Sequence, residues 1–222
     1  PEAFLMDMEG KVLHRWAKRF EDVWQTGVDS PEGATRGNQY WRRVHLSDNG
    51  DLIAVFDGLG MIKLDKRSEL IWSLQGGYHH DVSVAEDGTL FALLRETKII
   101  PRINPEKPVR EDFIAVLDSA GRVQRKVSLL ECFEQSPYAP LLAAMKKEGD
   151  LFHTNTIELL DGRLSERNPA FARGNILVSM REFSTIAVVD LEKHQVVWAL
   201  TGMWRFQHQP TVLDNGHLLV FD

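Results

Sequence analysis

Cysteine is almost absent from the sequence, since Cys132 is the only one among 222 residues. A single thiol excludes an internal disulfide and any metal site built from several cysteines. Long apolar runs are also missing, and none approaches the roughly 20 residues of a membrane-spanning helix. The start of the chain lacks the pattern of a signal peptide. These absences predict a protein without a disulfide or a membrane span, and they do not name its compartment.

An excess of positive charge is lacking as well. The 26 lysines and arginines are outnumbered by 32 aspartates and glutamates, which gives a formal net charge of −6. A negative chain argues against nucleic acid as a partner. Apolar residues make up 43% of the chain and charged residues 26%, proportions that are ordinary for a globular protein. The composition therefore predicts a globular fold that does not bind nucleic acid.

What the sequence does contain is a repeat. Two apolar residues are followed by an aspartate, a turn and an alternating apolar strand, and three of the four copies end on tryptophan. Successive aspartates are 58, 53 and 72 residues apart. This spacing is too long for leucine-rich or ankyrin repeats and fits four-stranded propeller blades of about 40 to 50 residues with insertions. The four aspartates are Asp7, Asp65, Asp118 and Asp190.

The repeat predicts an all-β fold, a β-propeller of four-stranded antiparallel blades. Glycine turns of the Asn-Gly and Asp-Gly type join strands one and two of each blade. Three blades are complete, over residues 40–76, 78–130 and 151–202. The chain starts with two strands of another blade, residues 4–16, and stops inside strand two of a last one. We expect one propeller domain over 1–222, with about four blades' worth of sequence.

The two incomplete ends allow two interpretations. They can pair into one blade and close a four-bladed ring, or the chain can be a segment of a longer one, which is the interpretation we favour. Residues 21–39, rich in glycine and charge, and residues 97–112, rich in proline and charge, are predicted to be loops. A short helix is predicted over 136–149, capped by Ser136, and residues 163–173 are predicted to interrupt a blade between its first two strands.

Histidines recur near the start of strand one, about eight residues before a turn glycine, and Arg42 takes that place in the first complete blade. In a propeller the first strand of each blade lines the central channel. We therefore expect His80, His153 and His208 to converge with Arg42 at one mouth of the channel, and Arg181 to lie beside them just past a second strand.

Alternation along a strand puts His79 and His80 on opposite faces, so the sequence leaves open which of them faces the channel. Asn155 shares the face of His153 and is placed to orient a neighbour. Imidazoles and a guanidinium around one pocket suit two kinds of chemistry. They stabilise an oxyanion group in transfer, with one histidine as nucleophile, or three histidines bind a metal ion.

The order of these motifs resembles the arylsulfotransferase (aryl-sulfate sulfotransferase) family from about residue 40 to 222. The motifs are His79-His80-Asp81, His153-Thr154-Asn155, Ser179-Met180-Arg181 and Gln207-His208-Gln209-Pro210. The resemblance implies a six-bladed propeller that transfers a sulfuryl group from a phenolic sulfate ester to another phenol through a sulfated histidine. It implies no cofactor, no metal and no nucleotide sulfate donor, and the sequence has no glycine-rich phosphate loop. It also implies a periplasmic or secreted protein, while a cytoplasmic one stays open.

On this resemblance His208 is the nucleophile, and His80, His153 and Arg181 support the transfer. A second set, assigned to substrate binding, comprises Asn155, His79, Arg42 and Gln207. The chain departs from the family in having about two blades fewer and no second cysteine for the disulfide of some exported members. The loop between His153 and Arg181 also carries an insertion.

Two alternatives remain from the residues alone. One is a metal-dependent propeller enzyme, such as a lyase acting on acidic sugars, with His80, His153, His208 and Gln207 as candidate ligands. The other is a propeller without catalysis that binds a ligand or a protein on its face. A metal ion held by three imidazoles would favour the first alternative, and loops packed over the pocket would favour the second. The sequence does not indicate an oligomeric state.

Overall fold

The computed structural model describes residues 1–24 and 39–222. These residues cluster into two compact units, Pro1–Val82 and Ser83–Asp222. Both units are built from antiparallel sheets whose strands follow one another in chain order. The all-β prediction is confirmed. Most of the predicted loop over 21–39 lies outside the described residues.

The first unit contains a two-stranded sheet and a four-stranded sheet. The two-stranded sheet pairs β1 (Glu2–Met6) with β2 (Val12–Ala17). The strands of the four-stranded sheet, in order, are β3 (Trp41–Leu46), β4 (Leu52–Phe56), β5 (Gly60–Leu64) and β6 (Leu70–Gln75). The predicted blade over 40–76 and the predicted strands within 4–16 are therefore confirmed.

The next sheet begins with β7 (Tyr78–Val84), the strand in which one unit ends and the other begins. Its further strands are β8 (Leu90–Ile100), β9 (Asn104–Leu117) and β10 (Val123–Ser128). The prediction of a loop over 97–112 is wrong, because β8 and β9 continue as one long hairpin through that segment. A short strand, β11 (Gly149–Asp150), runs parallel to β9 and pairs with Val109 and Arg110.

The second unit contains a further four-stranded sheet and a two-stranded sheet. The four-stranded sheet consists of β12 (Thr154–Leu159), β13 (Ile176–Met180), β14 (Thr185–Asp190) and β15 (Gln195–Thr201). The two-stranded sheet pairs β16 (His208–Val212) with β17 (Leu218–Phe221). The segment 163–173 does interrupt this blade between β12 and β13, and it contains a 3-10 turn at Pro169–Phe171.

The helix prediction was placed too late in the chain. The α-helix α1 spans Leu129–Glu134, and its cap is Ser128, whose hydroxyl accepts from the N–H of Glu131. The segment after Ser136 forms only a 3-10 helix over Ala139–Ala144. Ser128 stands just before an apolar stretch and caps a helix there, instead of Ser136. Its hydroxyl satisfies a backbone N–H of the first helical turn, and α1 buries its apolar residues.

The repeated aspartates close turns, as the sequence predicts. Asp65 Oδ1 accepts from the N–H groups of Arg67 and Glu69, and Asp118 Oδ1 accepts from those of Ala120 and Arg122. Backbone donors favour the ionised carboxylate, so they hold the pKa of both aspartates below its usual value. The aspartate repeat therefore belongs to the turns of the fold.

Each unit has its own apolar core. In the first unit Trp16 and Phe20 pack with buried residues of β4 and β5. In the second unit α1 packs its buried Phe133 and Cys132 into a cluster that joins strands of the β7–β11 sheet and of the β12–β15 sheet. Among the described residues no helix is long and apolar enough to cross a membrane.

Candidate functional site

His208 begins β16, and its ring is fixed by the main chain just before it. The Nδ1 atom lies 2.7 Å from the carbonyl oxygen of Phe206. A carbonyl oxygen only accepts hydrogen bonds, so this contact places the ring proton on Nδ1 and the basic lone pair on Nε2. Phe206 has a left-handed backbone with φ of 58°, which brings its carbonyl to the ring two residues later.

Arg181 lies directly after β13 and contacts both His153 and the segment just before His208. Its main-chain N–H donates to the carbonyl of His153 at 3.2 Å. Its guanidinium carbon is 4.2 Å from the centre of the Phe206 ring, within the range of a cation–π contact. Its Nη1 pairs with Glu182, which also pairs with Lys146. These contacts fix the guanidinium beside the segment that carries His208.

Two expected substrate-binding residues hold the main chain instead of facing solvent. Gln207 is fully buried, and its amide nitrogen donates to the carbonyls of Met180 and Thr185, each at 3.1 Å. The buried amide of Asn155 donates to the Gln207 carbonyl at 2.9 Å. Both side chains therefore orient the segment before His208. Their part in substrate binding stays a prediction.

His153 stands one residue before β12 in a left-handed conformation, with φ of 52°. Asp150 binds it at two points. Oδ1 accepts from the main-chain N–H at 2.9 Å, and Oδ2 lies 2.8 Å from the ring Nδ1. The carboxylate therefore holds both the unusual backbone conformation and the orientation of the ring.

Asp150 belongs to a network of charged side chains whose other members, Arg95 and Asp112, come from the β8–β9 hairpin. Arg95 Nη2 lies 3.3 Å from Asp150 Oδ2, and Arg95 Nε donates to Asp112 Oδ1 at 3.1 Å. The other oxygen of Asp112 accepts from the N–H of Thr154 at 2.7 Å. Asp112 is fully buried, and a buried carboxylate is stable only when it is paired in this way. Consecutive main-chain N–H groups, at His153 and Thr154, thus each bind a carboxylate of one network.

In the first unit His79 is buried and His80 is in a left-handed conformation with φ of 52°. Their Nδ1 atoms are 3.0 Å apart, so one of the two rings donates to the other. The main-chain N–H of His80 donates to Asp57 at 3.4 Å, and its Nδ1 lies 3.7 Å from the same Asp57 oxygen. His80 thus has an aspartate near both its backbone and its ring, as His153 does.

Arg42 is an exposed residue of β3. Its neighbour Arg43 is the one that forms an ion pair, with a 2.6 Å contact from Nε to the buried Asp81. The predicted convergence of Arg42 and His80 with His153 and His208 stays a prediction.

The strand registers correct the expected equivalence of the histidines. Leu46, Leu159 and Val212 each pair with the first residue of the following strand. Counting back four residues from them gives Arg42, Asn155 and His208. His153 lies two residues earlier, one residue before the start of β12. His153 and His208 are therefore not at the same blade position.

In the second unit the structure brings together four of the predicted residues with contacts that run from one to the next. The Asn155 amide reaches Gln207, the Arg181 guanidinium reaches Phe206, and the Phe206 carbonyl reaches His208. A fixed imidazole with a basic Nε2 therefore belongs to the same chain of contacts as the Arg181 guanidinium. This arrangement suits attack on an anionic group. Over residues 1–24 and 39–222, no three side chains of His, Cys, Asp or Glu gather in a way that would hold a metal ion.

Several residues of the site were missed in the sequence. Phe206 and Glu182 each adjoin a predicted residue, and their proximity was the available signal. Asp150 stands three residues before His153, a spacing that allows a side chain to reach back to the backbone. Arg95 and Asp112 gave no local signal, because the β8–β9 register alone sets them opposite each other.

Comparisons with known proteins point to one family. The sequence profile of the family described as Arylsulfotransferase (ASST) matches residues 43–222. A search of curated proteins gives no match. Among solved structures, a protein of unknown function from Bacteroides caccae is similar at a TM-score of 0.57 and 11% identity. The β-propeller domain of Myceliophteria thermophila Cps50 (Swd1) is similar at 0.54 and 12%.

Both likenesses concern the fold alone. They cover 99% of this chain, and the chain spans 60% of the first structure and 55% of the second. Together with the four-stranded antiparallel sheets, they confirm the predicted propeller class.

Proposed function

Because the chain belongs to the arylsulfotransferase family, we propose that it takes part in sulfuryl transfer from a phenolic sulfate ester to a phenolic acceptor, with His208 as the nucleophile. The observation that carries this proposal is the 2.7 Å contact between His208 Nδ1 and the Phe206 carbonyl. It leaves the lone pair on Nε2, and a neutral imidazole with a fixed proton is a good nucleophile near neutral pH.

The transfer has two balanced steps. Nε2 of His208 attacks the sulfur of the donor, an N–S bond forms, and the S–O bond breaks so that the phenol leaves with the bonding electron pair and takes up a proton. The acceptor oxygen then attacks the same sulfur, the N–S electron pair returns to Nε2, and the acceptor's proton passes to a base. No nucleotide sulfate donor is needed in either step.

The charge on the transferring group explains the role proposed for Arg181. Three oxygens share the negative charge, and donors fixed before the reaction lower its barrier. Within the described part of the chain, the guanidinium makes its contacts through its face and Nη1, so Nε and Nη2 remain to meet sulfuryl oxygens. We assign His153 and, from the first unit, His80 to the same supporting role.

The test combines an assay with mass spectrometry. The protein is mixed with a chromogenic aryl sulfate, with and without a phenol acceptor. We expect release of the coloured phenol and, without acceptor, one added sulfuryl group on the peptide that contains His208. His208→Ala should lose both, whereas His217→Ala, an exposed turn histidine, should keep both.

Two results would contradict the proposal. One is full activity in His208→Ala. The other is activity that a chelator removes and a divalent metal restores, which would favour a metal-dependent enzyme using His80, His153 and His208.

A further inference from the structure

The His153 imidazole is bound by a carboxylate at hydrogen-bond distance. Asp150 Oδ2 lies 2.8 Å from Nδ1 of that ring. The two side chains are only 26% and 13% exposed, so the contact is shielded from competing water. A carboxylate oxygen only accepts hydrogen bonds, so a neutral ring in this contact carries its proton on Nδ1.

The position of Asp150 is itself fixed. Its second oxygen accepts from the His153 main-chain N–H at 2.9 Å, and this bond supports a left-handed backbone, which is unfavourable for a residue other than glycine. Arg95 binds Asp150 and Asp112 at once, and Asp112 binds the N–H of Thr154. Arg95 therefore holds the carboxylate at Oδ2, the same oxygen that contacts the His153 ring.

A similar arrangement appears independently in the first unit. His80 also has a φ of 52°, and one oxygen of Asp57 is near both its main-chain N–H and its Nδ1. Asp57 follows β4, whereas Asp150 precedes its histidine by three residues. Two candidate histidines thus have the same backbone conformation and an aspartate on the same side of the ring, reached from different places in the chain.

We propose that Asp150 is a positioning residue, which holds the His153 ring with its proton on Nδ1 and its Nε2 turned away from the carboxylate towards the transferring group. This inference rests on the proposed function for its catalytic meaning. The charged groups whose contacts meet this segment are Asp150, Arg95, Asp112 and Arg181.

Asp150→Asn tests the proposal because the change is nearly isosteric. The amide oxygen can still accept from the His153 main-chain N–H, which leaves the amide NH₂ facing Nδ1. An NH₂ group donates, so the ring proton should move to Nε2. The control is Asp118→Asn, a partly exposed turn aspartate of the same unit, which should change neither the His153 ring nor the activity.

The first measurement is the nitrogen-15 NMR spectrum of the histidine rings at mildly alkaline pH, where an imidazole is mostly neutral. The His153 signals are identified by their loss in His153→Gln. We expect the Nδ1–H form in the wild type and the Nε2–H form in Asp150→Asn. A wild-type His153 with its proton on Nε2 overturns the proposal without any need for the variant to fold.

The second measurement is turnover in the aryl sulfate assay. We expect kcat of Asp150→Asn to fall roughly 10- to 100-fold, the usual effect of removing a group that orients a functional imidazole, with KM within about a factor of three because the residue does not touch substrate. If the wild type transfers sulfuryl groups and Asp150→Asn has an unchanged kcat, the inference fails. If the wild type shows the Nδ1–H form of His153 but transfers no sulfuryl group, the proposed function fails, whereas the inferred orientation of the His153 ring is retained.

Discussion

The main-chain N–H of Gln209 donates a 3.0 Å hydrogen bond to the hydroxyl of Thr156. The neighbouring side chain on β12, Asn155, donates to the carbonyl of Gln207. Two successive residues of β12 therefore hold the main chain immediately before and immediately after His208. The bulge in β12 lies between Thr154 and Thr156, and it lets consecutive side chains, which normally point to opposite faces of a strand, reach the same segment.

Asn155→Ala should reduce both stability and turnover. The Gln207 carbonyl keeps a 3.2 Å bond from the Ser179 hydroxyl, so the expected loss is at the lower end for a buried hydrogen bond, about 1–2 kcal/mol. Urea unfolding measures it. Asn215→Ala, in an exposed turn, serves as the control and should lose a few tenths of a kcal/mol at most. Equal losses in the two variants would show that Asn155 does not hold the His208 segment.

Arg181→Ala should keep its fold and lose activity roughly 10²–10³-fold, the scale for one oxyanion donor. Arg181→Lys should be intermediate, because lysine keeps the charge and loses both the planar fork and the stacking on Phe206. Steady-state kinetics with an aryl sulfate measure the effect, and Arg122→Ala, an exposed arginine of another turn, is the control. Activity in Arg181→Ala equal to that of the control would remove this residue from the mechanism.

Cys132 should not react with thiol reagents while the protein is folded. The side chain is fully buried in the core around α1, and burial raises the pKa of the thiol to about 12. The thiolate is the reactive form. Mass spectrometry after iodoacetamide treatment should find no adduct at mildly alkaline pH and complete modification in denaturant. Rapid modification of the native protein would mean that α1 opens readily.

Glu158→Gln should stabilise the protein at neutral pH. Burial raises the pKa of Glu158, against the opposing effect of the hydrogen bond from the Val212 N–H. A raised pKa means that the folded state binds more protons than the unfolded state between the two pKa values. The free energy of unfolding therefore falls as pH rises from the ordinary glutamate pKa through the folded one, and it stays lower above it.

The glutamine side chain removes this pH dependence and keeps an acceptor for Val212. Urea unfolding of both proteins at acidic and neutral pH measures the effect, with Glu166→Gln, an exposed glutamate in the segment before β13, as the control. A stability gain in Glu158→Gln that is the same at both pH values would contradict this explanation.

The blades could be predicted because their signals are local. Turns such as Asn49-Gly50 and Asp87-Gly88 punctuate alternating apolar strands, and each strand pairs with its neighbour in sequence. The long β8–β9 hairpin could not be predicted, because Pro101, Pro105 and Pro108 favour a loop. In the structure the register changes between the pairs Lys98–Val109 and Ile100–Asn104, so Pro105 and Pro108 lie where their missing N–H groups cost no ladder bond.

The candidate site, too, could be predicted only where its signals are local. His208, His153 and Arg181 were found because each sits in a short motif at a strand end. Asp112 reaches the site through the pairing of β8 with β9, and Asp150 through the parallel pairing of β11 with β9. The contacts of Asp112 do not follow from spacing in the chain, whereas Asp150 lies only three residues before His153. His153 stands one residue before β12 because strand pairing starts at Thr154, and alternation does not reveal that starting point.

The burial of Cys132 has a practical consequence for spectroscopy. Since the sequence has no other cysteine, a cysteine introduced at an exposed position such as Gln124 would be the single attachment point for a fluorophore or spin label. One such variant per blade would turn the protein into a set of site-specific reporters, without first removing the native thiol from the core.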